Sequence, residues 1–355
     1  MIRRSDHTIP IRAVDLFCGV GGLTHGLSRG GVDVVAGYDL DPTCKYAFEA
    51  NNTALFVEKD VSKLTVSEIS ERLGDGAITL LAGCAPCQPF STYSRTGRSE
   101  NRNSEWSLVA SFGRLVQGVR PDLVTMENVA ALQDHPVFEE FIKALEGYVV
   151  TYRIVQCASI GVPQTRKRLV LVASKLGSTA PSLDWLQEDI VTVRDSIGAL
   201  PPLHAGEGSK DDPLHLACRL SEVNLRRIRA SLPGGTWRDW PLDLRAACHR
   251  KVTGDTFPAV YGRMKWDEPA PTMTTQCFGY GNGRFGHPEQ DRAITLREAA
   301  MLQTFPHEYR FLKKDERVRF SHLGRLIGNA VPVRLGEKIA HTFRTHVESV
   351  KGLSN

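Results

Sequence analysis

The sequence predicts a doubly wound α/β domain built on a mostly parallel sheet, followed by a second, smaller and irregular region. Three observations carry this. Short apolar runs rich in β-branched residues alternate with stretches of helical periodicity through the first half. The first of those runs ends in a glycine turn. Beyond residue 175 the periodicity gives way to segments rich in Pro and Gly. Strands that alternate with helices form βαβ units, and such units need a parallel sheet covered on both faces.

Taken in order, "IRAVDLF" (11–17), "VDVVAGYD" (32–39), "ALFVEKD" (54–60), "ITLLAGC" (78–84) and "DLVTMENV" (122–129) read as strands. Between them, helical spacing covers about 22–29, 42–51, 65–73, 105–118 and 136–146. Two more strands, "VTYRIVQC" (150–157) and "RLVLVAS" (168–174), close the domain. Residues 176–292 hold turn pairs such as "PGG", "TGD" and "YGNG" and promise little core of their own. Helical pattern resumes at 295–305 and again at 332–350, where Pro332 suits a first helical position.

An apolar share of 41% with 24% charged residues is the composition of a soluble globular protein, and no run of 18 apolar residues is present. The opening "MIRRSDHTIP" lacks the apolar centre of a signal peptide, so a cytoplasmic location is expected. Eight cysteines scattered through so long a chain argue against a disulfide framework. The net charge of +4 is small, but its distribution is uneven. Residues 218–251 carry eight Arg/Lys against three Asp/Glu, and "SRTGRSENRNS" (94–104) carries three arginines against one glutamate. Clustered positive charge attracts a polyanion.

"DLFCGVGG" (15–22) is a strand entering a glycine turn that opens a helix. Such a turn brings the backbone close to a ligand and aims free N–H groups at it. The dinucleotide fingerprint would place a third glycine where Thr24 stands. Asp39 ends the second strand, where a carboxylate can hold both ribose hydroxyls, and Asp60 closes the third, placed to accept from an adenine amino group. An adenosine ligand without a pyrophosphate fits this set.

"GCAPCQPF" (83–90) spaces Cys84 and Cys87 as half a zinc site, a redox dithiol, or one nucleophile beside a packing residue. A structural zinc site needs a second pair. The nearest candidates, His215, Cys218, Cys248 and His249, include adjacent side chains that rarely reach one tetrahedral ion. In a thioredoxin-like dithiol the first cysteine is the exposed nucleophile. Here Cys84 belongs to the apolar strand while Cys87 follows Pro86 into a polar loop. Position therefore favours Cys87 as the reactive thiol and Cys84 as a small buried packing residue.

"GCAPCQPFS" resembles the Pro-Cys motif of the DNA cytosine-5 methyltransferases, and the family's other motifs follow in its order. "DLFCGVGG", "YDLDP", "KDV", "MENV" (126–129), "QTRKRLVLVAS" (164–174), "TLREAAMLQTFP" and "IGNAVPV" extend the resemblance over about 11–345. It implies the fold of S-adenosylmethionine-dependent methyltransferases. Residues 1–175 would form a catalytic and cofactor-binding domain completed by 325–355, with a target-recognition region at 176–324. It also implies methyl transfer from S-adenosylmethionine to carbon 5 of a flipped-out cytosine, with no metal.

Within that resemblance Cys87 would add to carbon 6 and make carbon 5 nucleophilic, and Glu127 would supply the acid at N3. Arg166 would help fix the cytosine and Arg168 hold the pocket together, as alternate residues on one face of a strand entry. Pro86 would shape the turn, and Gln88 and Ser91 begin a loop that closes over DNA with Arg95 and Arg98. For the cofactor the resemblance implies Phe17 stacking on adenine, Gly19, Gly21 and Gly22 at the turn, Asp39 and Asp60 as read above, Leu40 and Leu108 as apolar walls, and Asn329 at the amino-acid part. Leu40 departs from the pattern if an aromatic is usual there, and Tyr93 stands where a small polar residue is expected. Arg226, Arg227 and the "TMTT" pair Thr272 and Thr274 would meet phosphates, and Arg284 a guanine edge. The partner implied is double-stranded DNA, with a restriction endonuclease of the same site as companion; a monomer is enough for one target per visit.

Three other readings remain open at this level: an RNA cytosine methyltransferase on the same scaffold, a thiol- or NAD-dependent oxidoreductase, and a DNA-binding module without activity.

Overall fold

The computed structural model describes residues 9–86, 102–185, 187–251, 254 and 257–352 of the 355-residue chain. Its contacts divide the chain into two compact units. The first comprises 1–156, 167–186 and 331–355, and the second 157–166 and 187–330. Three segments differ from the expected division, residues 176–186 by falling in the first unit. The loop 157–166 belongs to the second unit although it joins two strands of the first, and the C-terminal return begins at Val331 rather than at 325.

The first unit holds a seven-stranded sheet: β1 (Ile11–Leu16), β2 (Asp33–Asp39), β3 (Leu55–Glu58), β4 (Ile78–Gly83), β5 (Leu123–Val129), β6 (Val149–Gln156) and β7 (Lys167–Ser174). The strand order is β3-β2-β1-β4-β5-β7-β6. The first five strands run parallel, while β7 is antiparallel to β5 and β6 antiparallel to β7. Residues 157–166 contain no crossover α-helix between β6 and β7, so these two strands pair in opposite directions.

The helices of this unit are α1 (Gly22–Arg29), α2 (Lys45–Glu49), α3 (Val66–Leu73), α4 (Arg102–Val119) and α5 (Pro136–Ala144), together with the C-terminal Val333–Val350. Thr65 opens α3 with a capping box completed by Glu68, as the "TVSE" pattern encodes. One face of the sheet buries Val14, Leu16, Leu81, Val124 and Leu171 against Phe112 of α4 and Phe138 and Phe141 of α5. On α1, a side chain at Gly26 would collide with the backbone of Val333 and Gly336, so the C-terminal helix packs on α1 almost backbone to backbone. That contact packs the last segment of the chain into the first unit.

The order of strands reverses at β1, with β2 on one side and β4 on the other. Ligands of doubly wound sheets bind at the carboxyl ends of the strands flanking such a point. The glycine turn, Asp39, Cys84 and Glu127 all follow or end strands on that edge.

The second unit contains α6 (Val193–Ile197), α7 (Glu222–Arg229), α8 (Leu296–Leu302) and α9 (Phe320–Asn329) among long irregular segments. The expectation of little core is corrected here. Ile228, Trp237, Trp240, Leu244, Tyr280 and Ala293 are buried together. Buried polar groups are paired as well. Arg292 meets both oxygens of Glu298 at 2.8 and 2.7 Å, and the Arg263 guanidinium donates to the carbonyls of Ile228, Ser231, His287 and Gln290. Side chains thus supply the bonds that irregular backbone cannot make within ladders.

Candidate active site

At the end of β1 the chain turns sharply. Phe17 has φ +59°, a left-handed value rare for an aromatic residue, and Gly19 and Gly21 follow at +51° and +88°. Strain of this kind persists where surrounding structure holds it, and it clusters at ligand sites. The Gly19 N–H donates to Asp39 Oδ2 at 2.8 Å, and the Asp41 N–H to Asp39 Oδ1 at 2.9 Å. Asp39 therefore fixes the turn from the end of β2, and burial pushes its carboxyl above the usual range. A side chain at Gly19 would point into open space, which leaves the turn accessible. Gly22 is the first residue of α1.

Leu40, next to Asp39 in sequence, is 65% exposed, while Phe17 and Leu108 are half-buried. Asp60 follows Lys59, whose N–H donates to Asp39 O at 2.9 Å. Its Oδ1 accepts from the amide and hydroxyl of Ser62, and these bonds hold the carboxyl below its usual range.

Thr24, in place of a third glycine, is buried and donates to Asp15 Oδ2 at 2.7 Å. Asp15 is itself buried, and its Oδ1 has no hydrogen-bond partner among the described residues. Burial pushes this carboxyl from 3.8 up to about 7. The folded chain then holds the Asp15 proton more tightly than the unfolded chain, so stability falls as the pH rises from about 4 to about 7. In urea titrations across that window the wild-type midpoint should decline, and Asp15→Asn should flatten the decline. An identical slope in both proteins would contradict the assignment.

The other half of the site lies at the ends of β4 and β5. Cys84 N donates to Leu16 O at 3.2 Å, which carries the sheet one residue past β4. Gly83 pairs with Met126, so the next residues, Cys84 and Glu127, are neighbours. Glu127 is 2% exposed, and Cys84 Sγ donates to its Oε2 at 2.8 Å. Across the antiparallel pair Glu127 faces Val170, which puts Arg168 diagonally on the same face. Arg168 Nε lies 2.8 Å from Glu127 Oε1, an ion-pair contact rather than an aligned hydrogen bond. Asn128, also buried, donates to Ala85 O at 3.0 Å and ties the start of the Pro-Cys loop to β5.

Two expectations change here. Cys84 is half-buried with its thiol on a carboxylate, not a packing residue alone. Arg166 is not a residue of the same strand as Arg168, because β7 begins at Lys167. Arg166 belongs to the second unit, where it is buried and donates to Met273 O at 3.3 Å and Ala330 O at 3.4 Å. Pro86 is exposed. Cys87, Gln88, Ser91, Tyr93, Arg95 and Arg98 lie outside the described residues.

In the second unit Thr272 and Thr274 are half-buried and flank the buried Met273, whose N–H donates to Gln164 Oε1 at 2.8 Å. Gln164 in turn donates to Gln303 Oε1 at 2.8 Å, and Gln303 Nε2 to Ile327 O at 2.9 Å. Asn329, last in α9, is exposed. Arg226 pairs with Asp243 on the surface at 2.8 Å. Arg227 and Arg284 are both engaged within the protein. Arg227 lies over the Trp240 and Tyr261 rings and donates to Leu244 O, and Arg284 donates to Gly235 O at 2.6 Å. His215 is held by Thr295 and Pro201, and His249 stacks on Trp237. Among the described residues no three His, Cys, Asp or Glu side chains converge as a metal site requires.

Sequence reading missed Asn128, Gln164, Gln303, Arg263 and the thiol of Cys84 as working groups. Asn128, Gln164 and Gln303 stood inside the quoted motifs, but only three-dimensional neighbours reveal what their amides bond.

The sheet order and the clustering of a strained glycine turn with a buried Glu–Arg pair on one edge define the class as a methyltransferase-type α/β enzyme. The Dnmt2 methyltransferase of S. pombe shares this fold, with a TM-score of 0.64 at 18% identity over 96% of this chain and 99% of that one. The family model for C-5 cytosine-specific DNA methylase matches residues 11–344, and the chain belongs to that family of enzymes. Among curated relatives, the Type II methylase M.HgiDII of Herpetosiphon aurantiacus is 48% identical over 95% of this chain and 96% of its own length. The Type II methyltransferase M1.BsuMI of Bacillus subtilis is 32% identical over 95% of this chain and 81% of its own. The oxidoreductase reading is thereby set aside. No helix among the described residues is long and apolar enough to cross a membrane.

Proposed function

We propose that this chain methylates carbon 5 of a cytosine flipped out of duplex DNA, through a temporary bond between Cys87 Sγ and carbon 6 of the ring. The observation that carries the reading is the placement of Glu127. It is a buried carboxyl between Cys84 and Arg168, on the same sheet edge as the Gly19–Asp39 turn. An acid for the base and a turn for a nucleoside-bearing cofactor are what this chemistry needs side by side.

The residues at the end of β1 fit S-adenosylmethionine. The open turn at Gly19, the carboxylates of Asp39 and Asp60, and the part-exposed apolar Phe17, Leu40 and Leu108 would hold its adenosine. When bound, that group supplies an electrophilic methyl. The rest falls to the chain's own side chains. The Cys87 thiolate adds to carbon 6, and the electron density displaced toward N3 is taken up by a proton from Glu127, which makes carbon 5 an enamine carbon. Arg168 keeps the Glu127 carboxyl aimed as charge develops and is neutralised. After methylation, loss of the carbon 5 hydrogen to a base, proposed to be water, lets Cys87 leave and restores the aromatic ring.

The second unit would read the target. Thr272 and Thr274, with Arg226, would contact phosphates, and flipping costs a few kcal/mol that such contacts help offset. Arg166, through Met273 O, would set the position of the 272–274 segment. Arg95, Arg98 and Ser91 are proposed for the loop that closes over the base. A monomer in the cytoplasm acting on chromosomal DNA, alongside an endonuclease of the same site, completes the proposal.

The experiment is methyl transfer to duplex DNA and to tRNA in parallel, with bisulfite sequencing of the DNA. The proposal requires 5-methylcytosine at a fixed sequence in duplex DNA. Modification of tRNA alone, or of an exocyclic nitrogen, would overturn it.

A further inference from the structure

We infer that Cys84 is a positioning residue for Glu127, holding one oxygen of the acid while Arg168 holds the other. The inference rests on the reading above that Glu127 serves the base.

Cys84 is fixed before any side chain is considered. Its N–H bonds to Leu16 O, and its neighbour Gly83 pairs with Met126, so it arrives beside Glu127 by sheet register rather than by loop flexibility. The next residue is fixed too, because Asn128 holds Ala85 O. With backbone on both sides held, the thiol meets Glu127 Oε2 at 2.8 Å and Arg168 Nε meets Oε1 at 2.8 Å. Arg168 from β7 and Cys84 from the segment after β4 both contact this carboxyl. Each oxygen has a separate holder, which restricts rotation of the carboxyl about its last bond.

The identity of the holder matters. A thiol is a weak hydrogen-bond donor. It steadies the carboxyl but favours the ionised form less than a hydroxyl would, and the acid must still carry a proton when N3 of the base arrives. A serine would hold as well but bind the carboxylate more firmly. An alanine would not hold at all.

The test is the pH profile of single-turnover methyl transfer for wild type, Cys84→Ser and Cys84→Ala. The high-pH limb, where the acid is lost, should move to lower pH in Cys84→Ser and to higher pH in Cys84→Ala, by about half a pH unit or more in each. The plateau rate should fall roughly 2- to 10-fold in Cys84→Ala, the worth of one hydrogen bond, and recover in part in Cys84→Ser. Limbs that coincide with wild type, or that move the same way in both variants, would overturn the inference. A merely structural role for Cys84 would lower the rate without separating the limbs.

A second measurement does not depend on these variants folding. In the infrared difference between Glu127→Ala and wild type, one S–H stretch should shift toward the frequency of a free thiol, and an unshifted band would overturn the inference. Failure here leaves the wider reading standing so long as the enzyme methylates cytosine, whereas a Glu127→Gln variant working at full rate would remove that wider reading itself.

Discussion

Replacing Cys87 by Ser is expected to lower methyl transfer by at least about 10³-fold, or about 4 kcal/mol of barrier, while binding of duplex DNA and of the cofactor stays within a few-fold. Carbon 5 of cytosine is too electron-poor to accept a methyl group without prior addition at carbon 6. The addition needs a nucleophile that has at least a few per cent of its ionised form near neutral pH. A thiol meets that condition, and a hydroxyl in the same place does not. The loss should appear in the single-turnover rate, since the side chain makes its bond to the ring during the reaction rather than on encounter. A Ser variant that retains the wild-type rate would show that another group opens the ring. The companion variant Cys84→Ser separates the two cysteines of the motif. It retains most activity if Cys84 positions Glu127, and loses it if Cys84 is the nucleophile.

Glu127→Gln should be the second largest loss, about 10²- to 10⁴-fold in the single-turnover rate. The amide keeps the shape of the side chain but has no acidic proton to give N3. It also leaves Arg168 without a charge partner in a site where Glu127 is 2% exposed. Breaking a buried ion pair costs stability, so the variant should melt earlier, and the two effects must be read apart. The double variant Glu127→Gln with Arg168→Met removes both charges. It should regain stability without regaining rate, because the missing proton is the kinetic defect. Recovery of the rate with stability would mean that Glu127 acts through folding alone.

The sheet was legible in the sequence because its central strands are apolar on both faces and its helices amphipathic. The five strand runs through "DLVTMENV" match β1 to β5 within a few residues. The antiparallel pair at the edge was legible only as two strand-like runs, since direction depends on the connection, and it is the structure that shows 157–166 to lack a crossover α-helix. In the second unit the core was not legible. Trp237, Trp240, Tyr280 and Ile228 are spread over some fifty residues with no period, and irregular backbone lets any of them turn inward. The internal bonds of Arg227 and Arg284 were not legible for the same reason, since a guanidinium bonded to a distant carbonyl leaves no trace in local composition.

The candidate site was legible in kind but not in detail. Asp39 and the glycine turn followed from strand ends and spacing. That Asp39 bonds the turn itself, through Gly19, needed the structure. The resemblance assigns Glu127 to the acid, but position in the sequence alone makes Cys84, the holder on its second oxygen, a packing residue. A thiol two residues before a proline gives no sign of which carboxylate it will face until β4 and β5 are in register.

A duplex carrying 5-fluorocytosine in the target site, incubated with the chain and S-adenosylmethionine, tests the central claim most directly. Fluorine cannot be removed as hydrogen is, so elimination stops and the sulfur stays on the ring. The account predicts a complex that survives denaturation, with the modified base mapped by mass spectrometry to Cys87. Absence of a stable complex under conditions where the unfluorinated duplex is fully methylated, or attachment at any other residue, would contradict it.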